Sequence, residues 1–489
     1  MANTAYRRIG LGLLAGNLAF AGAPLFRVVD LNVGETAKVE VAGGKAATVK
    51  LLATGETRDR VRSAVRSAQA EVEVNGARTR LSCGNYQLPV AVGGVQVDCA
   101  VTRAYYSNTN ADHWALAKDA RLRLWPAGGP LMPPGAMVYP VRQRWFAGRT
   151  QMANEPTYVD GGESFGERRI YYHAGLDIGG AEGLTEVVAA MGGTVASAGR
   201  EVLDQYRTGG PVRARYDRVY VLDDSGWMEL YAHLQAIDPA VRPGSRVSLG
   251  QKIGVLGKEG DSGGWSHLHF EILALQPSGR WGTLEGYGLL WEAYQRQYRP
   301  DLIAVARPHV AALTGETVVL DAARSWSRAP GAVRYEWTFS DGATAAGARV
   351  ERTYARPGVY SEILKITDAR GRTAWDFATV DVLDPAHRDQ APPSIHAACW
   401  PTMGIRPGAP VTFKVRTFGT QAGEETWDFG DGSAKVTTRS DGNAVALAKD
   451  GYAATTHAFA KPGDYIVRVE RERAVAHLHV RVDAAGRPR

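Results

Sequence analysis

Apolar and polar residues alternate along most of this chain, and the 3.6-residue period of an amphipathic helix is scarce. T-A-K-V-E-V (36–41), A-E-V-E-V (70–74) and G-V-Q-V-D-C-A-V (94–101) each put their valines on one face of a strand. They predict a β-rich N-terminal domain over 25–130, with one short, charged, helix-like piece at T-R-D-R-V-R-S-A-V-R-S-A-Q-A (57–70). W-P-A-G-G-P-L-M-P-P-G (125–135) then reads as a Pro/Gly linker. From 135 to 308 the pattern is one of short strands broken by glycines. D-D-S-G (223–226) forms a hairpin turn there between R-V-Y-V-L and W-M-E-L-Y-A-H-L.

The last third of the chain repeats itself. Y-E-W-T-F-S-D-G and R-T-Y-A-R-P-G-V-Y, within 335–360, return as E-T-W-D-F-G-D-G-S and T-H-A-F-A-K-P-G-D-Y within 425–465. A Trp-x-Phe strand, an Asp-Gly turn, an aromatic and a Pro-Gly turn in that order resemble the polycystic-kidney-disease (PKD) type β-sandwich. The resemblance implies two tandem copies, at 309–385 and 392–484. Such sandwiches are commonly appended to exported enzymes, and these repeats carry no predicted catalytic group. Their default role is therefore that of a spacer or weak anchor, dispensable for any chemistry carried elsewhere in the chain.

Composition adds little to this. A chain of 489 residues with 45% hydrophobic and 22% charged residues is globular and multi-domain. The formal charge of +6 is spread widely, with no Lys/Arg run of the kind that marks a nucleic-acid partner. Arg7 and Arg8, an apolar stretch from Ile9 to Phe20, and small residues at Ala19, Ala21 and Ala23 have the layout of a secretory signal over 1–24. No other segment is apolar enough for a membrane span, which predicts an exported chain in the periplasm, cell envelope or extracellular space. Cys83 and Cys99 flank a predicted hairpin and are candidates for a disulfide, with Cys399 left over.

Two copies of His-Leu-His stand out, at 267–269 and 477–479. Aligning the repeats by their V-x-V endings puts Phe377 opposite His477 and Thr379 opposite His479. A position that accepts Phe or Thr is filling a sheet face, so the second copy is structural. The first copy has company. Strand alternation puts Leu268, Phe270 and Ile272 on one face and His267, His269 and Glu271 on the other. In Y-H-A-G-L-D-I-G (172–179) it separates Ala174, Leu176 and Ile178 from His173, Gly175 and Asp177. In W-M-E-L-Y-A-H-L it separates Met228, Leu230, Ala232 and Leu234 from Glu229, Tyr231 and His233. If the polar faces converge, they form a metal site. Zinc held by two imidazoles and a carboxylate keeps a fourth position open for water, which makes it catalytic, and two further histidines remain for proton transfer or oxyanion stabilisation.

His173 and Asp177 as H-x-x-x-D, Y-A-H-L at His233, V-R-P-G-S-R-V-S-L-G-Q-K-I-G-V-L-G (241–257), S-H-L-H-F-E and the F-G-E-R stretch at 165–168 together resemble the lysostaphin/LytM-type zinc metallopeptidases of peptidoglycan. The resemblance implies one zinc per chain on His173, Asp177 and His269, with His233 and His267 acting on substrate and water and Glu271 at most orienting an imidazole. It also implies a peptidoglycan peptide as substrate. The expected architecture is mostly β, an antiparallel-sheet zinc peptidase domain flanked by a β-rich N-terminal domain and two PKD-like sandwiches. The family usually has Gly-Pro before His-Leu-His, where G-G-W-S places Trp265 and Ser266, so the cleft border should differ. Two other classes compete: a non-catalytic wall-binding scaffold or activator, as arises when ligands are lost, and an adhesion protein acting through its sandwiches. Retention of all five site residues favours the enzyme.

Overall fold

The computed structural model describes residues 23–106, 112–158, 170–387, 392–421 and 423–484. The signal-like segment, apart from its last two residues, and the F-G-E-R stretch lie outside the described residues. Strands dominate, as the alternation predicts, and among the described residues there is one α-helix.

The N-terminal domain is one sheet. Its strands run in the order Arg27–Leu31, Ala120–Pro126, Val95–Thr102, Ala77–Cys83, Val65–Val74, Ala46–Arg58 and Thr36–Glu40. Val49, Leu51, Val72 and Leu122 lie in its core. Three expectations fail here. Residues 57–70 form no helix but two paired strands joined by a turn. The Asp59 carboxylate accepts the Arg62 backbone N–H at 2.7 Å and the Arg66 guanidinium at 2.6 Å, so the acid closes a turn between the strands. Cys83 and Cys99 are register partners on neighbouring strands but are free, buried thiols. The 125–135 segment is no open linker: Trp125, Leu131 and Met132 are buried in the core of the middle region, and the Leu131 N–H donates to the Glu292 carboxylate at 3.0 Å.

In the middle region, strands Gly193–Ala198, Val219–Asp223, Met228–Ala232, His267–Leu275 and Leu176–Gly179 lie side by side in that order. All of these neighbours are antiparallel. Leu176, Ile178, Leu268, Phe270 and Ile272 fill the core on one side of the sheet. The register sets Asp177 and Ala232 beside His269, one on each side. A small sheet of Glu186–Val188, Lys252–Leu256 and Leu234–Ile237 stands apart. The helix Tyr287–Tyr298, absent from the sequence reading, packs Tyr287, Trp291 and Tyr294 against Trp145.

Each C-terminal sandwich is built on its own Trp-x-Phe pair. Trp337 and Phe339 are buried in one core, and Trp427 and Phe429 in the other. The Asp-Gly turns are closed by Asp341 accepting the Ala343 N–H and Asp431 accepting the Ser433 N–H, both at 3.0 Å. After each Pro-Gly, the tyrosine hydroxyl donates to a carbonyl four residues back, Tyr360 to Arg356 and Tyr465 to Lys461, both at 2.8 Å. The two sandwiches share a sheet, in which Gly358–Thr367 neighbours Ala474–Val482.

Candidate active site

The five predicted residues come together on the polar side of the central sheet. His173 lies in a loop, because Gly175 takes a left-handed φ of 72° and interrupts the alternation. The loop nonetheless brings the His173 Nε2 to 3.1 Å from the Asp177 Oδ1. The same carboxylate oxygen is 2.8 Å from the His269 Nδ1, and the two imidazole nitrogens are 3.1 Å apart. This triangle has the donor set of an open zinc site. Ligand atoms on a tetrahedral zinc, at bond lengths of about 2.0–2.1 Å, sit roughly 3.3 Å apart. The triangle is a few tenths of an ångström too tight and need only open slightly, so these residues fit the ion.

The outward nitrogen of each imidazole is accounted for, which sets the orientation of the inward one. The His173 Nδ1 faces the Met152 carbonyl at 3.3 Å. The His269 Nε2 lies 3.7 Å from Glu271, whose other oxygen accepts the Thr283 hydroxyl. The His267 Nδ1 donates to the Trp265 carbonyl at 3.1 Å, and the His233 Nδ1 to the Glu259 carbonyl at 2.6 Å. His267 then turns its Nε2 toward the Asp177 Oδ2 at 3.4 Å, and its ring lies 4.6 Å from that of His233. Glu271 sits where it can orient the His269 ring.

Electrostatics follow from burial and crowding. Burial acts to raise the Asp177 carboxyl, but the imidazoles of His173 and His267 beside it hold it well below the usual carboxylate range. Burial acts to lower His269, and the carboxylates of Asp177 and Glu271 overcome it to reach about 9. Burial pushes His267 far down and His233 down, favouring the neutral form of each ring.

The Met228–Ala232 strand departs from its predicted faces. Tyr231 belongs to the main core with Leu234, while Met228, Leu230 and Ala232 pack in a satellite cluster. Glu229 is fully buried, hydrogen-bonded to the Tyr231 hydroxyl and raised to about 8 by burial, so it offers no open polar face. The alternation ends at His233, whose φ of 66° turns it out of the strand toward the site.

Asp217 was missed. Its fully buried carboxylate accepts the His233 N–H at 3.0 Å and pairs with the Arg215 guanidinium. It thereby fixes the turn that aims His233. The sequence offered only an acid before a strand, a feature shared by many surface aspartates. Trp265, singled out as the departure from the family pattern, stacks on His267 with ring centroids 3.8 Å apart and planes 20° from parallel. The second His-Leu-His is elsewhere: His477 bonds the Ser361 hydroxyl at 3.0 Å and His479 pairs with Asp464 at 2.8 Å.

Comparison with known proteins matches three stretches of the chain. Residues 171–279 match the model of peptidase family M23, and residues 300–382 and 397–483 match PKD domain models. Among solved structures, the chain is similar to a protein described as a glycyl-glycine endopeptidase, LytM, from Ruminococcus gnavus. The match has 22% identity and a TM-score of 0.21, over 32% of this chain and 60% of that one. Helicobacter pylori Csd3 matches at 17% identity and a TM-score of 0.20, over 49% of this chain and 58% of that one. Fibronectin(III)-like modules of Clostridium thermocellum CbhA match at 12% identity and a TM-score of 0.15, over 38% of this chain and 95% of theirs. The chain thus spans about 60% of the length of the first two.

Proposed function

Because the chain carries a peptidase family M23 domain followed by two PKD domains, we propose that it is an exported zinc endopeptidase hydrolysing peptide bonds in peptidoglycan stem peptides or cross-bridges. His173, Asp177 and His269 would hold the single zinc, and His233 and His267 would handle protons. The observation that carries this reading is the convergence of two imidazole nitrogens and a carboxylate oxygen within 3.1 Å of one another, with the outward face of each ring accounted for.

When bound, zinc supplies a Lewis acid for the scissile carbonyl and a place where water is acidified near neutral pH. The remaining chemistry belongs to the chain. His233 and His267 each commit Nδ1–H to a backbone carbonyl, which leaves each Nε2 as the unprotonated nitrogen that would receive a proton from the attacking water. As the C–N bond breaks, the departing nitrogen needs a proton, and a protonated Nε2 can return it. Removing the Asp217 carboxylate or the Glu259 carbonyl contact would leave the His233 ring unaimed. The substrate reading draws on the family and on location: the abundant amide polymer of a bacterial envelope is the peptide part of peptidoglycan. The net charge of +6 favours approach to an anionic wall and should matter less at high salt.

The test is digestion of purified cell walls of several cross-link types, followed by mass spectrometry and end-group assays. New amino groups with unchanged reducing ends are expected, and a chelator should abolish their release. New reducing sugar ends without new amino groups would refute the peptidase reading, since glycan cleavage calls for a carboxylate pair of a different kind.

A further inference from the structure

The second PKD domain was expected to be dispensable for chemistry, yet its side chains hold the loop that leads to His267. The Tyr452 hydroxyl accepts the Ser266 N–H at 2.7 Å and lies 2.7 Å from the His396 Nδ1. The Asn443 side-chain amide donates to the Gly263 carbonyl at 3.2 Å, and the Arg416 guanidinium to the Gly264 carbonyl at 2.6 Å. Arg416 is fully buried, grips Asp441 with two bonds of 2.8 and 2.6 Å, and donates to the Val445 and Ala446 carbonyls at 2.8 Å. It therefore shapes the 441–446 loop and docks it in one arrangement. Lys414 adds an ion pair at 3.6 Å to Glu182, which also binds the buried Lys258.

Two glycines mark how closely the surfaces are fitted. A Cβ on Gly264 would come within 2.1 Å of the Asn443 Oδ1, and one on Gly179 within 3.1 Å of the His396 Nε2. Gly179 ends the strand that carries Asp177, and it pairs with His267 in the sheet. His396 also packs edge-on against Trp265 at 5.4 Å, and Trp265 lies flat on His267. The backbone groups of three of the four residues before His267, and the ring on top of it, are thus held from another domain. A loop whose buried polar groups are satisfied this way loses its fixed shape when the partner is withdrawn.

We propose that Tyr452, with Arg416 and Asn443, is a positioning element of the peptidase site: the second PKD domain sets the geometry of Trp265 and His267 and forms one border of the substrate cleft. This rests on the peptidase reading above. Tyr452 touches neither substrate nor metal and acts only through the loop. Such an element governs the reacting geometry more than the affinity for substrate, so its loss falls on kcat.

The experiment uses the full chain loaded with zinc. Tyr452→Phe keeps the ring but removes the hydroxyl, and Asn443→Gly keeps the left-handed φ of 60° at that site while removing the contact to Gly263. Tyr465→Phe, which loses the bond to the Lys461 carbonyl inside the same sandwich, is the control. Soluble peptide cleavage, zinc content and hydrogen exchange of the 258–268 amides are measured for each. Tyr452→Phe should lower kcat about tenfold with KM within about twofold, keep its zinc, and speed exchange at Ser266 about tenfold or more. Asn443→Gly should follow in the same direction, and the control should match the parent. Unchanged or increased kcat in Tyr452→Phe would overturn the proposal, the latter by showing that the contact restrains the enzyme. If the parent chain cleaves no peptide, the peptidase reading fails by itself, and unchanged Ser266 exchange in Tyr452→Phe would still reject the docking role.

Discussion

Asp217 gives the sharpest test of how the site is aimed. Its carboxylate has no exposed surface and makes three kinds of contact: the His233 N–H at 3.0 Å, two bonds to the Arg215 guanidinium, and an approach of 3.5 Å to the His233 Nδ1. Asp217→Asn keeps the shape and one acceptor for the His233 N–H, but turns an amide NH2 or a neutral oxygen toward Arg215. Hydrogen bonds to a charged group contribute about 1.5–3 kcal/mol each. Arg215 retains the exposed Asp261 as a second partner, so the net loss should be about 2–3 kcal/mol. Asp217→Ala also strands the His233 N–H and leaves the guanidinium short of its buried partner, costing about 3–5 kcal/mol. At roughly 2–4 °C per kcal/mol for a domain of this size, the Asn variant should lower the peptidase transition by about 4–12 °C. Activity should fall further than stability, because His233 relaxes from its φ of 66°. A loss in kcat of about 10- to 100-fold is expected at a temperature where the variant is fully folded. Calorimetry resolves the transition, and steady-state cleavage of a soluble peptide measured well below it gives kcat. If Asp217→Asn keeps kcat within twofold while its transition drops as expected, the carboxylate is a structural brace and His233 is aimed by the Glu259 carbonyl alone.

Elemental analysis should find one zinc per chain, removable by chelation and sharply reduced by His173→Ala, Asp177→Ala or His269→Ala, while replacing His477 and His479 should change neither zinc nor activity. His233→Ala and His267→Ala should retain zinc but lose turnover by about 10²–10⁴-fold, and loss of metal from either would redraw the roles. Burial pushes His396 down to about 3 and His477 and His479 to about 4, with the guanidiniums of Arg149, Arg468 and Arg144 respectively adding to it and Asp464 opposing it at His479. The unfolded chain therefore binds protons that the folded sandwiches refuse, and stability present above about pH 6.5 is lost as the pH falls toward 4. Each histidine contributes about 1.4 kcal/mol per pH unit in that window. Melting curves between pH 7 and 5 should show the sandwich transition shifting down, and a double replacement of His477 and His479 by glutamine should flatten the shift.

The legible parts of this fold are those where one local pattern decides the outcome. Leu268, Phe270 and Ile272 alternate with His267, His269 and Glu271 without interruption, and the strand carries them as read. The Trp-x-Phe and Asp-Gly repeats, which are complete within a few residues, fared equally well. Alternation misled where a left-handed residue ends it, at Gly175 and His233, because a single positive φ re-aims everything after it. Arg58, Arg62 and Arg66 have helical spacing, but Asp59 closes a turn there by accepting the Arg62 backbone N–H and the Arg66 guanidinium. The helix at 287–298 did have a signal in Tyr287, Leu290, Trp291, Tyr294 and Tyr298, which follow the 3–4 spacing. Asp217 and the Tyr452 docking could not be read, since each depends on a partner brought close only by the folded chain.

The bond between Ser266 and Tyr452 joins residues 186 positions apart, and that separation is also a delay. A chain growing at about 5–20 residues per second makes His267 roughly 10–40 s before it makes the tyrosine that steadies it. Throughout that interval the triangle of His173, Asp177 and His269 can already exist while the loop beside it is unbraced. Fragments that stop short of the second sandwich therefore carry the five residues of the site without the side chains that fix the loop before His267.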